Sequence, residues 1–409
     1  MLLPVAGVSD ELSIFEVPLE KLMEYEVKSA GLVRTTAGQA PGHVQVFDMT
    51  HIELTPVRTI GDLLAMHATG SSVGNHIRQG QIHGVRGVSI DNSSKTLVML
   101  DGQQINQRSH FGYMIGLASP LLGDLQSVEV INGPGAIQHG SGAINGFINL
   151  IPKTGETHPG SFVRAEYGDA ESLWLVESGH GFTYGDGSSL FVYAGAFGAD
   201  GFEPDEDWGA EKRYASDVRA YGYNEPNYRV SSHWEHEAFD LNFFITEANR
   251  QKNSWLEHGD WHSQQLGARP RYTVDLADDQ SIEFAASVLL SDHASTSSPA
   301  PEGSPYSGGS ETHLEGKVTY RGSLSERQAV AFGLLYGDKD FEVATQHFGD
   351  DVVGALEAVN TRWQEFGLFA EDVITVNEAV TVSLGLRYDV YELDPVSGAN
   401  PGDMSFSPG

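Results

Sequence analysis

Residues 379–390 read AVTVSLGLRYDV. Laid out as a strand, Val380, Val382, Leu384, Leu386, Tyr388 and Val390 fall on one face, with Thr381, Ser383, Gly385, Arg387 and Asp389 on the other. An apolar face backed by a charged one marks a strand whose two sides meet different surroundings. The pattern recurs upstream. In 281–291, Ile282, Phe284, Ala286, Val288 and Leu290 oppose Ser281, Glu283 and Ser287. In 314–321, Leu314, Val318 and Tyr320 oppose Glu315, Lys317, Thr319 and Arg321. In 239–246, Phe239, Leu241, Phe243 and Ile245 oppose Asp240, Asn242 and Thr246. About eleven such strands can be counted from residue 161 onward. Most are near the ~10 residues that a tilted strand needs to cross a bilayer.

Alternation alone also suits a soluble β-sandwich. The connections separate the two. Tight links are expected near 185–187, 237, 277–279, 324–327 and 377–378, and long polar segments at about 199–227, 251–268, 292–311 and 340–360. Short and long connections therefore take turns from the third strand on. A barrel with short turns on one side of a membrane and long loops on the other requires this, and a sandwich does not.

The composition agrees. Among 409 residues, 24 are basic and 56 acidic, a net charge of −32, which speaks against nucleic acid and against a polybasic membrane-surface site. No stretch approaches ~18 consecutive apolar residues, so no transmembrane helix is expected. The absence of cysteine excludes disulfides, zinc–thiolate sites and cysteine nucleophiles. The sixteen histidines are scattered without metal-ligand spacing, and His233 and His236, three apart on a strand, face opposite sides. The acidic run Glu203, Asp205, Glu206 and Asp207 lacks the spacing of a calcium loop. No arrangement of nucleophile and base stands out, so neither metal binding nor catalysis is expected.

Residues 1–155 follow another grammar. Ile60, Leu63, Leu64 and His67 recur at helical spacing within 56–67, and Ser119-Pro120 predicts a short helix through Leu125. Strand-like runs cover 44–47, 97–100, 128–131 and 147–151. The glycine-rich stretch GPGAIQHGSGAINGFINLIPK at 133–153 tests a phosphate loop and fails. Ser141 stands where a Walker lysine must be, and Gly140, Gly142 and Gly146 miss dinucleotide spacing by one residue, ahead of a strand rather than a helix. Its glycines instead permit tight turns between strands.

A glycine-punctuated domain followed by long alternating strands resembles a TonB-dependent outer-membrane receptor, in which a plug sits inside a barrel. The stretches APGHVQVFDMTHIE (40–53), RTIGDLLAMHATG (58–70), Arg86-Gly87 with LVMLDGQQIN (97–106), and VEVINGPGAIQHGSGAINGFINLIPK (128–153) match the plug pattern in order. The resemblance implies a mainly β fold: an N-terminal segment at 1–35, a small α+β plug at 36–156, and an incomplete antiparallel transmembrane barrel at 157–409. Gly87, Gly102, Gly133, Gly140, Gly142 and Gly146 become structural glycines. A receptor of this type has about 22 strands. With about eleven legible and no basic leader in the first 20 residues, the chain is expected to be part of a longer protein.

The resemblance also implies roles. EYEVKSA at 24–30 looks like the Ton box, so Glu24, Tyr25, Glu26, Val27, Lys28, Ser29 and Ala30 would pair as an added strand with TonB of the inner-membrane TonB–ExbB–ExbD complex. The other partners would be outer-membrane lipid and a small-molecule ligand, an iron–siderophore-type chelate by family habit, with no cofactor. Two polar loops are the candidate ligand contacts, through His76, Arg78 and Gln81 in one and Arg108, His110, Phe111 and Tyr113 in the other. The family carries an arginine before Gly-Pro that locks plug to barrel. Asn132 stands there, which leaves Arg86 as the candidate plug–barrel contact. The competing reading is a passive porin or a surface adhesin without energy coupling.

Overall fold

The computed structural model describes residues 26–27, 31–33, 35–36, 43–76, 80–89, 95–107, 113–133, 139–140, 143, 145–169, 172–201, 226–253, 258–277, 279–296, 305–345, 357–377 and 380–395. Two short strands come first, β1 (Glu26–Val27) and β2 (Thr35–Thr36), paired antiparallel. The inner domain follows. It holds β3 (His43–Asp48), α1 (Met49–Ile52), α2 (Ile60–His67), β4 (Ser71–His76), β5 (Gly80–Val85), β6 (Val88–Ser89), β7 (Thr96–Leu100), β8 (Gln103–Gln104), α3 (Met114–Leu117), β9 (Leu125–Asn132) and β10 (Gly146–Pro152).

Its main sheet runs β3-β9-β10-β7-β8, with β10 parallel to β7, beside a smaller sheet β4-β5-β6. Both faces of the main sheet are covered. Val98, Leu100, Val128, Val130, Ile148 and Leu150 pack with Ile60, Leu63 and Leu64 of α2 on one side, and Leu97, Met99, Ile131 and Phe147 cluster on the other. Burial on both faces is why these strands are continuous apolar runs instead of alternating ones. Gly146 has a φ of 147°, and a Cβ there would lie 2.1 Å from the Ile131 carbonyl oxygen, so only glycine admits this strand to the sheet.

The helix expected near 56–67 is α2, fixed at its start by a reciprocal cap between Thr59 and Asp62. Ile60, Leu63 and Leu64 are buried, while His67, which shares their spacing, is exposed. The helix expected after Ser119-Pro120 is absent, and α3 lies before Ser119 instead. Ser119 Oγ does accept from Leu121 N, but the next backbone donors are drawn elsewhere: Leu122 N to Pro120 O, and Gly123 N to Glu177 Oε1. A helix capped by Ser119 would take Gly123 N for its first backbone bond, to Ser119 O, and the Leu122 N to Pro120 O bond closes a tight turn that a helix does not contain.

The wall is one antiparallel sheet of eleven strands in sequence order. They are β11 (Gly160–Gly168), β12 (Leu173–Thr183), β13 (Ser189–Gly198), β14 (Asn227–His236), β15 (Phe239–Asn253), β16 (His258–Ala277), β17 (Gln280–Thr296), β18 (Pro305–Ser325), β19 (Gln328–Thr345), β20 (Glu357–Asn377) and β21 (Val380–Pro395). Among the described residues β11 and β21 are its two edges, so the barrel is not closed. The outward face is apolar: Leu384, Leu386 and Tyr388 are 59%, 73% and 63% exposed. The inward face buries Glu177, Arg229, Glu311, Lys339 and Glu365. No described helix is long and apolar enough to cross a membrane.

The tight links fall where the sequence put them. Three of the long segments are shorter than expected, because β15 to β20 run on, up to 21 residues in β18 and β20. The ladder continues through polar residues, pairing Gln264 with Asp292 and Ser291 with Glu311. There both faces are polar, so hydropathy alternation stops while backbone pairing does not.

Candidate functional site: the seam between inner domain and wall

The turn Asp101-Gly102 joins β7 to β8, with φ of 48° and 77°. Two central residues at positive φ suit a tight hairpin, and Asp-Gly is a preferred pair for it. From this turn, alternate residues face the wall. Asp101 Oδ2 meets Arg271 at 2.7 Å and Arg269 at 3.7 Å. Gln103 Nε2 donates to the Val288 carbonyl at 2.8 Å, and the Ile105 carbonyl accepts from Gln265 Nε2 at 3.0 Å. Gln107 Nε2 donates to Ser263 and Ser291 at 2.9 and 3.0 Å. Asn106, on the other side, turns inward to Val98 N and Thr96 O. Period two thus stitches DGQQINQ to β16 and β17.

A second attachment lies at Gly123-Asp124. Asp124 Oδ2 accepts from Arg229 Nε and Ser231 Oγ, each at 2.7 Å. Glu177 takes the Gly123 N–H and the Tyr193 hydroxyl on one oxygen and Arg164 on the other. Both attachments therefore put the carboxylate on the inner domain and the guanidinium on the wall, the reverse of the expected polarity. Sequence reading missed Asp101 and Asp124. The Asp-Gly turn was a usable signal for the first, whereas nothing local marks the second.

Arg86 belongs to the inner domain's own structure. It and Gly87 form the β5–β6 turn, with φ of 52° and 80°, and its guanidinium donates to the Asn132 carbonyl at 3.1 Å. The residue expected to touch the wall thus braces β9 instead. Asn132 turns its Nδ2 to the Thr69 carbonyl, also inside the domain.

Of the candidate ligand residues, Arg78, Arg108, His110 and Phe111 lie outside the described residues, and His76 is described only as a strand position paired with Gly80. Gln81 is half-buried against α2, close enough that a Cβ on Gly61 would strike it. Tyr113 packs on the core and lines a cavity of about 50 Å³ in the seam with Gln107 and Arg229. Burial pushes its hydroxyl pKa up. These two side chains point into the protein. Of the structural glycines, Gly87, Gly102, Gly140 and Gly146 adopt positive φ, Gly133 does not, and Gly142 lies outside the described residues. Of the coupling segment, Glu26 and Val27 form β1, and 24, 25 and 28–30 lie outside.

A cavity of about 110 Å³ opens between the two halves beside Asp101, lined by Arg269, Arg271, Glu283, Lys317 and Arg321. Asp101, His233 and Asp240 each bring one ligand-type atom within 4.8 Å of the others. Arg271 already fills that position. Its guanidinium lies 2.7 Å from both carboxylates, and His233 Nε2 is 2.7 Å from Asp240. The arrangement suits mechanical attachment, with paired charges that water can replace one at a time.

Comparison with known proteins agrees with this architecture. A family model described as "TonB-dependent Receptor Plug Domain" matches residues 36–147, and one described as "TonB dependent receptor-like, beta-barrel" matches 168–409. The chain is 32% identical over 130 residues to the probable TonB-dependent siderophore receptor PirA of Acinetobacter baumannii, covering 28% of this chain and 17% of that one. It is 31% identical over 151 residues to the vitamin B12 transporter BtuB of Vibrio vulnificus, covering 34% and 24%. Among solved structures it resembles the FpvAI–pyocin S2 complex (TM-score 0.69, 14% identity, 91% of this chain and 53% of that one). It also resembles the ferric citrate transporter FecA without ligand (TM-score 0.66, 12% identity, 87% and 57%). The chain spans about half the length of these solved chains.

Proposed function

This chain belongs to the TonB-dependent receptor family, and from that premise we propose that it is an energy-coupled importer in the bacterial outer membrane. It captures a scarce nutrient at the outer side, an iron–siderophore-type chelate, and passes it to the periplasm when TonB pulls on residues 24–30. Chemistry on the substrate has no part in this. The observation that carries the reading is the seam. An inner domain with its own apolar core is fastened to the wall through Asp101 and Asp124, by contacts that can be exchanged for water. A passive porin or an adhesin has no use for such a stopper.

The chelate reading leans on relatives described as a siderophore receptor and a ferric citrate transporter, while a vitamin B12 transporter among them keeps a cobalamin as the second ligand class. The stretches at 75–81 and 106–113 remain our proposal for the ligand contacts, with Arg108 or Arg78 meeting an anionic chelate and Phe111 stacking on it. The test is Val27→Pro, which removes one donor from any strand added to that segment. Ligand binding to cells should persist while uptake collapses to the level seen without a proton gradient. Uptake at the wild-type rate would end the coupling assignment.

A further inference from the structure

The hollow of about 110 Å³ beside Asp101 is lined by four cations, Arg269, Arg271, Lys317 and Arg321, against three carboxylates, Asp101, Glu283 and Glu315. The whole chain has only 24 basic residues among 409, so four around one small space is a concentration against an acidic background. Strand register explains why the space is open. Ala285 of β17 pairs with Arg271 of β16 on one side and with Lys317 of β18 on the other, so a methyl group stands between two cations. Strands two places apart are separated by roughly 10 Å, a gap that two long side chains can close onto one object.

These cations are unequally satisfied. Arg271 lies 2.7 Å from both Asp101 and Asp240, and Arg321 lies 3.4 Å from Glu283. Arg269, only 13% exposed, has no carboxylate closer than Asp101 Oδ2 at 3.7 Å, beyond a hydrogen bond, and Arg271 already holds that oxygen. Lys317 rests over the Phe369 ring, 4.9 Å from its centre, and among the described residues no carboxylate comes within ion-pair distance of it, Glu315 included. A cation withdrawn from water without a hydrogen-bonded anion is costly. Two of them facing one space select for an anion there. Size narrows the choice. At ~30 Å³ per water the hollow has room for roughly three or four waters, which admits a single oxyanion and excludes a nucleotide or a metal chelate.

We propose that this hollow is a binding site for a small oxyanion of the phosphate class, held by Arg269 and Lys317 and bordered by Arg321. Guanidinium and ammonium donors both form charge-assisted hydrogen bonds to such oxygens. The cations belong to the wall, but the inner domain closes the site. Asp101 reaches into it, and Gly102 lies so near that a Cβ there would come 2.9 Å from the Arg269 guanidinium. The anion therefore binds only when both halves are in place, and by linkage it strengthens their docking. The seam becomes an attachment whose strength follows the phosphate level, whichever nutrient is carried.

The probe is inorganic phosphate, given to the full receptor purified in detergent, in a chloride buffer of constant ionic strength. Equilibrium dialysis with radiolabelled phosphate counts the sites, and hydrogen exchange over residues 97–107 reads the docking. Wild type should hold one phosphate per chain, and saturation should slow that exchange. Lys317→Met and Arg269→Gln should each weaken binding about tenfold or more, the loss of one charge-assisted contact, and should abolish the effect on exchange. Lys317→Met keeps a side chain of similar length over Phe369 and removes the charge, so it reports even where Arg269→Gln assembles poorly. Arg362→Gln removes an equal charge from the outer face, where Arg362 pairs with Asp338, and should change neither reading. A one-to-one site that Lys317→Met leaves at full strength overturns the assignment. So does binding that weakens equally in the Arg362 variant, which marks diffuse charge and an adventitious ion only. If wild type shows no saturable binding, the hollow holds water and the proposal falls.

Discussion

On β7 and β10 of the inner domain every residue from Leu97 to Leu100 and from Phe147 to Ile151 is buried, whereas on β21 the apolar residues Val380 to Val390 look outward and the polar ones inward. The inner domain is an ordinary soluble core, and the wall is a core turned inside out. The surfaces that meet between them are mixed: polar pairs dominate the contacts, while Phe244 and Leu289 of the wall join the inner core and Leu121 packs on Leu175 and Phe197. Docking therefore combines limited apolar burial with paired charges and hydrogen bonds, whose net worth is modest because water competes for the same groups. This contrast teaches how a domain can be held firmly and still be movable. An apolar interface of the same extent would make the two halves a single core.

The largest expected effect separates the halves by their cores. Ile148 is fully buried in the inner sheet. Ile148→Asp places an unpaired carboxylate there, at a cost of more than about 4 kcal/mol, most of the margin that keeps a domain of this size folded. Limited proteolysis should then cleave the inner domain while the wall still assembles, as read from its heat-modifiable mobility on gels. Leu386→Asp, on the outward face, should do the opposite, impairing membrane assembly and leaving the inner fold protected. If either change disables both halves alike, the division into two independent cores is wrong.

Next comes the seam. Asp124→Ala leaves Arg229 buried without its carboxylate, which costs about 3–5 kcal/mol for a broken buried pair. Hydrogen exchange at residues 121–125 should accelerate while the exchange of β7 and β10 stays slow. The double change Asp124→Leu with Arg229→Met should recover most of the loss, since an apolar replacement removes the orphaned charge as well. A loss below about 1 kcal/mol in the single variant would mean that ion pairs do not hold the seam.

Sequence alone made the wall legible because a two-residue period survives any substitution that respects sidedness, and turn residues such as those at 185–187 punctuate it. The main sheet was legible too, since continuous runs such as FINLI need cover on both faces. The failures share a physical cause. The helix expected after Pro120 is absent because Leu122 N closes a tight turn onto Pro120 O and Gly123 N is drawn to Glu177, 54 residues away. The Asp101–Arg271 attachment joins residues that no local pattern relates, and Arg86 looked like a lock only by position in a motif whose turn it actually makes. The strand extensions in β15 to β20 escaped because their signal is a backbone ladder, which leaves no trace in hydropathy.

The smallest effect expected lies inside the soluble core and should be absent from the wall. His83 is 2% exposed, with Nε2 3.0 Å from Ser71 Oγ and Nδ1 3.3 Å from Thr96 Oγ1, so it ties the small sheet to the main one. Burial lowers its pKa from 6.5 to about 4. In the unfolded chain the imidazole takes up its proton near pH 6.5, while the folded site resists until about pH 4. The folded state is therefore most favoured above pH 6.5, loses ground as the pH falls between these values, and changes no further below the lower one. The ceiling on this loss is about 3 kcal/mol, from the size of the shift. Denaturant midpoints of the inner domain measured from pH 7.5 to 4 should show the decline. His83→Gln keeps a donor and an acceptor for Ser71 and Thr96 but does not titrate, so its curve should be flatter over the same interval. Parallel curves for the two proteins would show that the acid sensitivity of the inner domain resides in groups other than His83.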